Sequence, residues 1–223
     1  MSDVVETDEV AVEVDETREA LLETMASELG EGIVETYVKP GDDVWVRVTR
    51  EAWVATGDAL RNGLGFRYFN FLSAIDWMPS PFGRDMDSQV DITLDGGPEP
   101  TEPEAMETGY AGGDTRFQVF ARVNDITTAR AVTIKVDIPD DDLSLATWIP
   151  VYPGANWHER EAAEMFGIDF VGHPNKRKLY LPGAFEGFPM RKDYALLSRR
   201  IKPWPGIVDV EPMPGDDDEG GEA

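Results

Sequence analysis

Trp157-His158-Glu159-Arg160-Glu161-Ala162-Ala163-Glu164-Met165-Phe166-Gly167-Ile168-Asp169-Phe170-Val171-Gly172-His173-Pro174 puts four charges, Glu159, Arg160, Glu161 and Glu164, into two helical turns. Ala162 and Ala163 permit close approach by another element, while Met165, Phe166, Ile168 and Phe170 form an apolar block. Gly167 can stop the helix, since glycine adopts the left-handed conformation at a helix end without steric cost. The pattern predicts a helix over Ala155–Phe166 and irregular chain after it.

Downstream, prolines at 174, 182, 189, 203, 205, 212 and 214 forbid any long regular element. His173-Pro-Asn-Lys-Arg-Lys-Leu-Tyr-Leu-Pro182 and Gly187-Phe-Pro-Met-Arg-Lys-Asp193 present basic side chains from stiffened backbone. Between His158 and Lys202 nine bases stand against six acids. Read blandly, this is a solvated basic surface. Residues 167–208 also read as an extended docking arm, roughly 140 Å long if fully stretched. A structureless segment of that length is unusual inside one compact domain and suggests interaction.

Upstream, the period alternates between helix and strand. A helix is expected from Thr17, with Leu21, Leu22, Met25 and Leu29 at helical spacing and Gly30 or Gly32 as its stop. Ile33–Val38 and Val44–Thr49 read as strands around a Pro40-Gly41-Asp42-Asp43 turn, and Glu51–Leu60 as a helix. Phe66–Trp77 is an aromatic β-prone run, Gln89–Leu94 a short strand, and residues 116–123 and 131–138 a hairpin. The expected organisation is an acidic disordered tail at 1–16 and an α+β core at 17–166 of mostly antiparallel strands, carrying an acidic loop at 95–113. The docking arm at 167–208 and a second acidic tail at 209–223 follow.

The 223 residues hold 44 acids, 20 Lys and Arg, two His and no Cys, for a net charge of −24. That charge is local: residues 1–31 carry −10, 85–114 carry −9 and 209–223 carry −7, leaving +2 on the rest. The sign disfavours general nucleic-acid binding. The aromatic run Phe66, Tyr68, Phe69, Phe71 is accordingly read as core rather than as a base-stacking platform. Without cysteine this chain ligates no iron–sulfur cluster through thiolates and forms no disulfide. No apolar run reaches the length of a membrane span, and the acidic start does not resemble a signal peptide.

No dinucleotide or phosphate-loop glycine pattern is present, because Gly30-Glu-Gly32 and Gly63-Leu-Gly65 lack a third glycine. His158, Glu161 and Glu164 share helical spacing that a metal can use, yet a zinc-protease pattern needs His at 162, where Ala162 stands. Helix-surface pairing of Arg160 with Glu164 is the simpler expectation. Ser73, Ser88, Ser144 and Ser198 lie in no nucleophile-elbow context. No catalytic centre is expected within this chain.

The run Glu159, Arg160, Glu161, Glu164, Met165, Phe166, His173, Arg177, Leu179 and Tyr180 resembles, position by position, the signature of the C subunit (thirty-kilodalton subunit) of proton-translocating NADH:quinone oxidoreductase, respiratory complex I. Asn70–Trp77, Pro153–Trp157 and the later Gly187–Asp193 stretch, with Arg191, Lys192 and Asp193, are similar to that family too. Two positions depart: Glu164 stands where the family more often has Asp, and Phe188 where it often has His.

The resemblance implies a ferredoxin-like α+β domain in the peripheral arm of the complex, on the cytoplasmic side of a bacterial membrane. It implies no cofactor bound by this chain, with FMN, iron–sulfur clusters and quinone held by partner subunits. The C-terminal arm would dock chiefly on the D subunit, with Arg160, Arg177, Arg191 and Lys192 as expected pairing groups. The alternatives are the equivalent subunit of a ferredoxin- or F420-linked dehydrogenase or membrane-bound hydrogenase, and a free-standing acidic binding module.

Overall fold

A computed structural model describes residues 15–79 and 105–194. The expected Gln89–Leu94 strand, residues 195–208, and both acidic tails apart from residues 15 and 16 lie outside the described residues. Ile33–Val38 (β1), Val44–Val48 (β2), Tyr68–Asp76 (β3), Phe117–Asp125 (β4) and Arg130–Ile138 (β5) form one sheet in the order β1-β2-β5-β4-β3. The hairpin read from alternation is the β4–β5 pair, with Phe117 opposite Ile138 and Asp125 opposite Arg130. Neighbours run antiparallel except β2 and β5, which pair in parallel with Val46 opposite Ile134. The α+β class with a mostly antiparallel sheet is the class observed.

The first helix, α1, spans Glu16–Leu29 and is capped by Asp15 rather than Thr17. The Asp15 carboxylate accepts the Arg18 backbone N–H at 3.2 Å and also pairs with the Arg18 side chain, giving it two partners. The second helix, α2, runs Trp53–Asp58 and widens into a π-turn at Ala59–Gly63. The third, α3, is Ala155–Phe166, and Gly167 stops it with φ 79°. It links two short parallel strands, Ser144–Ala146 (β6) and Asp169–Val171 (β7). Three-residue strands are too short to show a period, which is why the sequence reading has no counterpart for them.

One apolar cluster joins Leu21 and Met25 of α1, Trp53 and Leu60, and Ala162 and Phe166 of α3 to Val46, Val119, Ile134 and Val136 of the sheet. Burying each large aliphatic side chain stabilises the fold by about 1.5–3 kcal/mol. At its centre Trp53 and Trp148 stack at 4.3 Å, and the Trp148 indole N–H donates to the Trp53 carbonyl at 3.0 Å. The Tyr152 hydroxyl donates to the Phe66 carbonyl at 2.7 Å, tying the chain ahead of α3 to the start of β3.

The other sheet face is covered too. Arg47, Gln118, Thr133 and Lys135 are all buried. A strap formed by the described end of the acidic loop lies over them: the Gln118 side chain donates to the Gly112 carbonyl at 3.1 Å, and the Tyr110 ring stacks on Tyr37 at 4.3 Å. Arg47 is ringed by Asp114, Asp137 and Glu35 at 2.6, 2.6 and 3.0 Å.

Candidate functional site

Helix α3 places the signature charges on different sides, and three of them meet the chain's own backbone. Glu159 is fully buried. Its carboxylate accepts the Thr147 hydroxyl at 2.5 Å and the Trp148 N–H at 2.6 Å, fixing the segment after β6 to the helix. Burial pushes its pKa up, those two hydrogen bonds oppose the rise, and the result is about 7. Glu161, one turn from Trp157, is half-buried on the helix flank.

Arg160 and Glu164 act on one stretch of the chain. The Arg160 guanidinium donates to the carbonyls of Arg177 at 2.7 Å and Lys178 at 3.2 Å. Glu164 accepts the backbone N–H groups of Leu179 at 2.6 Å, Tyr180 at 3.1 Å and Leu181. Burial alone would raise the Glu164 pKa, but those three amides hold it below the ordinary carboxylate value. The expected Arg160–Glu164 pairing on the helix surface is replaced by these contacts. A carboxylate beside three convergent amides gains more from them than from one solvated cation.

His173 is buried and closes the same arrangement. The Asn175 N–H donates to its Nδ1 at 2.9 Å, so the ring proton sits on Nε2 and is given to the Asn156 carbonyl at 3.1 Å. His158 lies on another side, its Nδ1 3.2 Å from the Leu72 carbonyl. His158, Glu161 and Glu164 therefore do not converge. Among the described residues no three His or carboxylate groups are placed to hold a metal.

The later signature stretch returns to the end of α3. The Met190 N–H donates to the Met165 carbonyl at 3.2 Å, and Arg191 Nε donates to the carbonyl of Phe166 at 2.6 Å. The Arg191 guanidinium lies between the Phe188 and Phe117 rings, 4.4 and 5.1 Å from their centroids. The Lys192 N–H donates to Asp76 at 2.8 Å, and Asp193 pairs with Arg116 at 3.1 Å. Arg116 grips Asp76 through two bonds of 2.9 and 2.7 Å. Burial alone would raise the Asp76 pKa, but the guanidinium and the Lys192 and Met78 amides hold it below the usual range.

Thus the structure gathers Glu159, Arg160, Glu164, Phe166, His173, Leu179, Tyr180, Arg191, Lys192 and Asp193 around α3, with Glu159, Glu164, Phe166 and His173 buried beneath the surface that the others form. Met165 packs partly buried against the core. Arg177 faces outward, its side chain bonding only to the Asn175 amide oxygen among the described residues. Sequence reasoning missed Asp76 and Arg116 as the anchor of the 190–193 stretch. The available signal was an acid inside the apolar run Phe69–Trp77.

Exposed on this surface are Lys176, Arg177, Lys178, Tyr180, Phe188, Met190 and Lys192. Tyr180 is 64% exposed and Met190 52%, although both sit on backbone that is firmly held. An aromatic and cationic surface on rigid backbone suits protein–protein contact.

Comparison with known proteins gives a family match over residues 46–200, described as the 30 Kd subunit of respiratory-chain NADH dehydrogenase. The C/D subunit of NADH-quinone oxidoreductase from Cronobacter sakazakii is 42% identical over 88 residues, which is 40% of this chain and 15% of that protein. The corresponding C/D protein of Erwinia tasmaniensis is 41% identical over 102 residues, 45% of this chain and 17% of that one. The matched part is therefore a small fraction of those relatives' length. Among solved structures, a chain of the membrane-bound sulfane sulfur reductase, an archaeal respiratory membrane complex, shares the fold. Its TM-score is 0.51 at 18% identity, covering 81% of this chain and 87% of that one. A trypsin-resistant fragment of Nqo5 aligns with a TM-score of 0.47 at 21% identity, over 70% of this chain and 97% of the fragment.

Proposed function

Because the chain belongs to the family of the 30 kDa subunit of respiratory-chain NADH dehydrogenase, we propose that it is a structural subunit of an NADH:quinone oxidoreductase. In this reading it binds no cofactor itself. FMN, iron–sulfur clusters and quinone reside in partner subunits, which move electrons from NADH to quinone and couple this to proton translocation. The chain sits in the peripheral arm, on the cytoplasmic side of a bacterial membrane, and docks on a D-type subunit through the arm at 167–208.

The observation that carries this reading is the use made of the signature charges. Glu159, Arg160 and Glu164 bind the chain's own backbone, and the product of their work is a held surface of cations and aromatics. That is the behaviour of a scaffold. The relatives in which a C segment and a D segment carry one name support the choice of partner, since their two parts are joined covalently.

The test is affinity isolation of the tagged full chain from membranes dissolved in mild detergent. Co-recovery of a D-type subunit with iron and NADH:quinone reductase activity is the expected result. An assembly that oxidises reduced ferredoxin or reduced F420 but not NADH would transfer the chain to a related complex. Recovery of the chain alone, under conditions that preserve other respiratory complexes, would remove the function.

A further inference from the structure

Residues 177–181 are held at every peptide. Arg160 takes the carbonyls of Arg177 and Lys178, and Glu164 takes the amides of Leu179, Tyr180 and Leu181. The two side chains lie one helical turn apart on α3, so one rigid element grips both polarities of the backbone. The side chains alternate accordingly: Leu179 and Leu181 are half-buried, while Tyr180 between them points outward. Lys178 is braced by a 2.7 Å bond to the Phe185 carbonyl, and Lys176 by a pairing with Asp169. Arg177 and Tyr180 are left as the outward groups.

We propose that Arg160 and Glu164 form a two-sided splint that presents Arg177 and Tyr180 as a pre-organised docking edge for a carboxylate-bearing, apolar-slotted face of the D-type subunit. The proposal rests on the functional reading above and gives Arg160 a different role from the one its sequence suggests. Arg160 becomes a positioning residue rather than a group that pairs across the interface. An irregular segment without such a splint loses rotameric and backbone freedom on binding, which weakens association. The splint removes that cost before the partner arrives.

The chemistry of the partner follows from what is exposed. Arg177 has no carboxylate partner among the described residues, and a cation desolvated in an interface needs a carboxylate opposite it. A tyrosine that is 64% exposed on held backbone suits an apolar recess with a polar rim. Tyr and Arg are the residue types that dominate such contacts.

The test uses the tagged full chain co-expressed with the D-type subunit of its own host, reading binding affinity and amide exchange of 177–181. Glu164→Ala is expected to speed exchange at 179–181 and weaken binding roughly tenfold, with the unfolding midpoint of the sheet little changed. Glu164→Gln, which keeps an acceptor oxygen, recovers part of both. Arg177→Glu with Tyr180→Ala is expected to weaken binding at least as much while exchange at 179–181 stays slow. That pair keeps the proposal testable if Glu164→Ala disturbs the fold. Wild-type binding by either variant overturns the splint or the docking edge respectively, while leaving the subunit reading intact. Failure of the wild-type chain to bind the D-type subunit overturns the functional reading and the docking edge with it.

Discussion

The ammonium nitrogen of Lys135, on a central strand, donates to the carbonyl oxygen of Tyr110, on the acidic loop, at 2.8 Å. A second bond of 2.9 Å reaches the Gly112 carbonyl, and the Trp77 ring lies 5.3 Å away. One buried lysine thus anchors the strap over the polar face of the sheet. Lys135→Met nearly keeps the length of the side chain and removes the donors, leaving the Tyr110 carbonyl without its partner and the Gly112 carbonyl with Gln118 alone. Amide exchange across 105–114 is expected to accelerate strongly, while exchange in β4 and β5 stays slow. Uniform loosening of sheet and strap would contradict the anchoring role.

Glu159 has its pKa raised from 4.5 to about 7 by burial, against the opposing hydrogen bonds from Thr147 and Trp148. The native state therefore holds a proton that the unfolded chain has already lost, so stability falls as pH rises from about 4.5 to about 7. Glu159→Gln carries no such proton. Denaturant unfolding across pH 5–8 should show this declining component in the wild type and its loss in the variant. An unchanged pH slope in Glu159→Gln would assign the effect elsewhere.

Gly57 lies in α2, and a Cβ there would come within 2.9 Å of the Trp148 ring. Two effects oppose each other in Gly57→Ala. Helix propensity favours alanine by about 1 kcal/mol. Displacing a fully buried indole stacked on Trp53 costs about 1–3 kcal/mol. Net destabilisation is expected, read as a lower midpoint in thermal or chemical unfolding.

Asp76 is the acceptor for both Arg116 and the Lys192 amide, with its side chain out of water. Asp76→Ala leaves the guanidinium without its main partner and is expected to cost about 3–5 kcal/mol. The 190–193 stretch should detach in the same variant, visible as faster exchange at the Lys192 amide.

Arg191→Glu replaces a donor to the last carbonyl of α3 with a carboxylate that repels it, and removes the stack on Phe117 and Phe188. A loss of about 1–3 kcal/mol is expected. On the proposed function, assembly with the partner subunits should fail together with this local defect. Normal assembly and normal exchange at Met190 would show that Arg191 matters to neither.

Much of this architecture is legible in the sequence. Alternation over 116–123 and 131–138 dictates a hairpin, because a one-residue slip would turn Val119, Val123, Ile134 and Val136 out of the core. The boundaries of α3 follow from its periodic apolar residues and Gly167, and the ordered charges of 159–180 point to the family. These signals are local, and backbone sterics and side-chain period act over a few residues.

Other features depend on chain segments that are distant in sequence. Lys135 alternates with Ile134 and Val136 and reads as solvent-facing, yet it is buried because residues 105–114 fold back over it. The signature charges read as surface groups suited to pairing across an interface. In the fold Glu159 reaches Trp148, Glu164 reaches 179–181 and Arg191 reaches Phe166, while Arg177 and Tyr180 stay exposed. A charged side chain gains most from whichever desolvated donor or acceptor lies nearest, and only the path of the chain in space decides which that is.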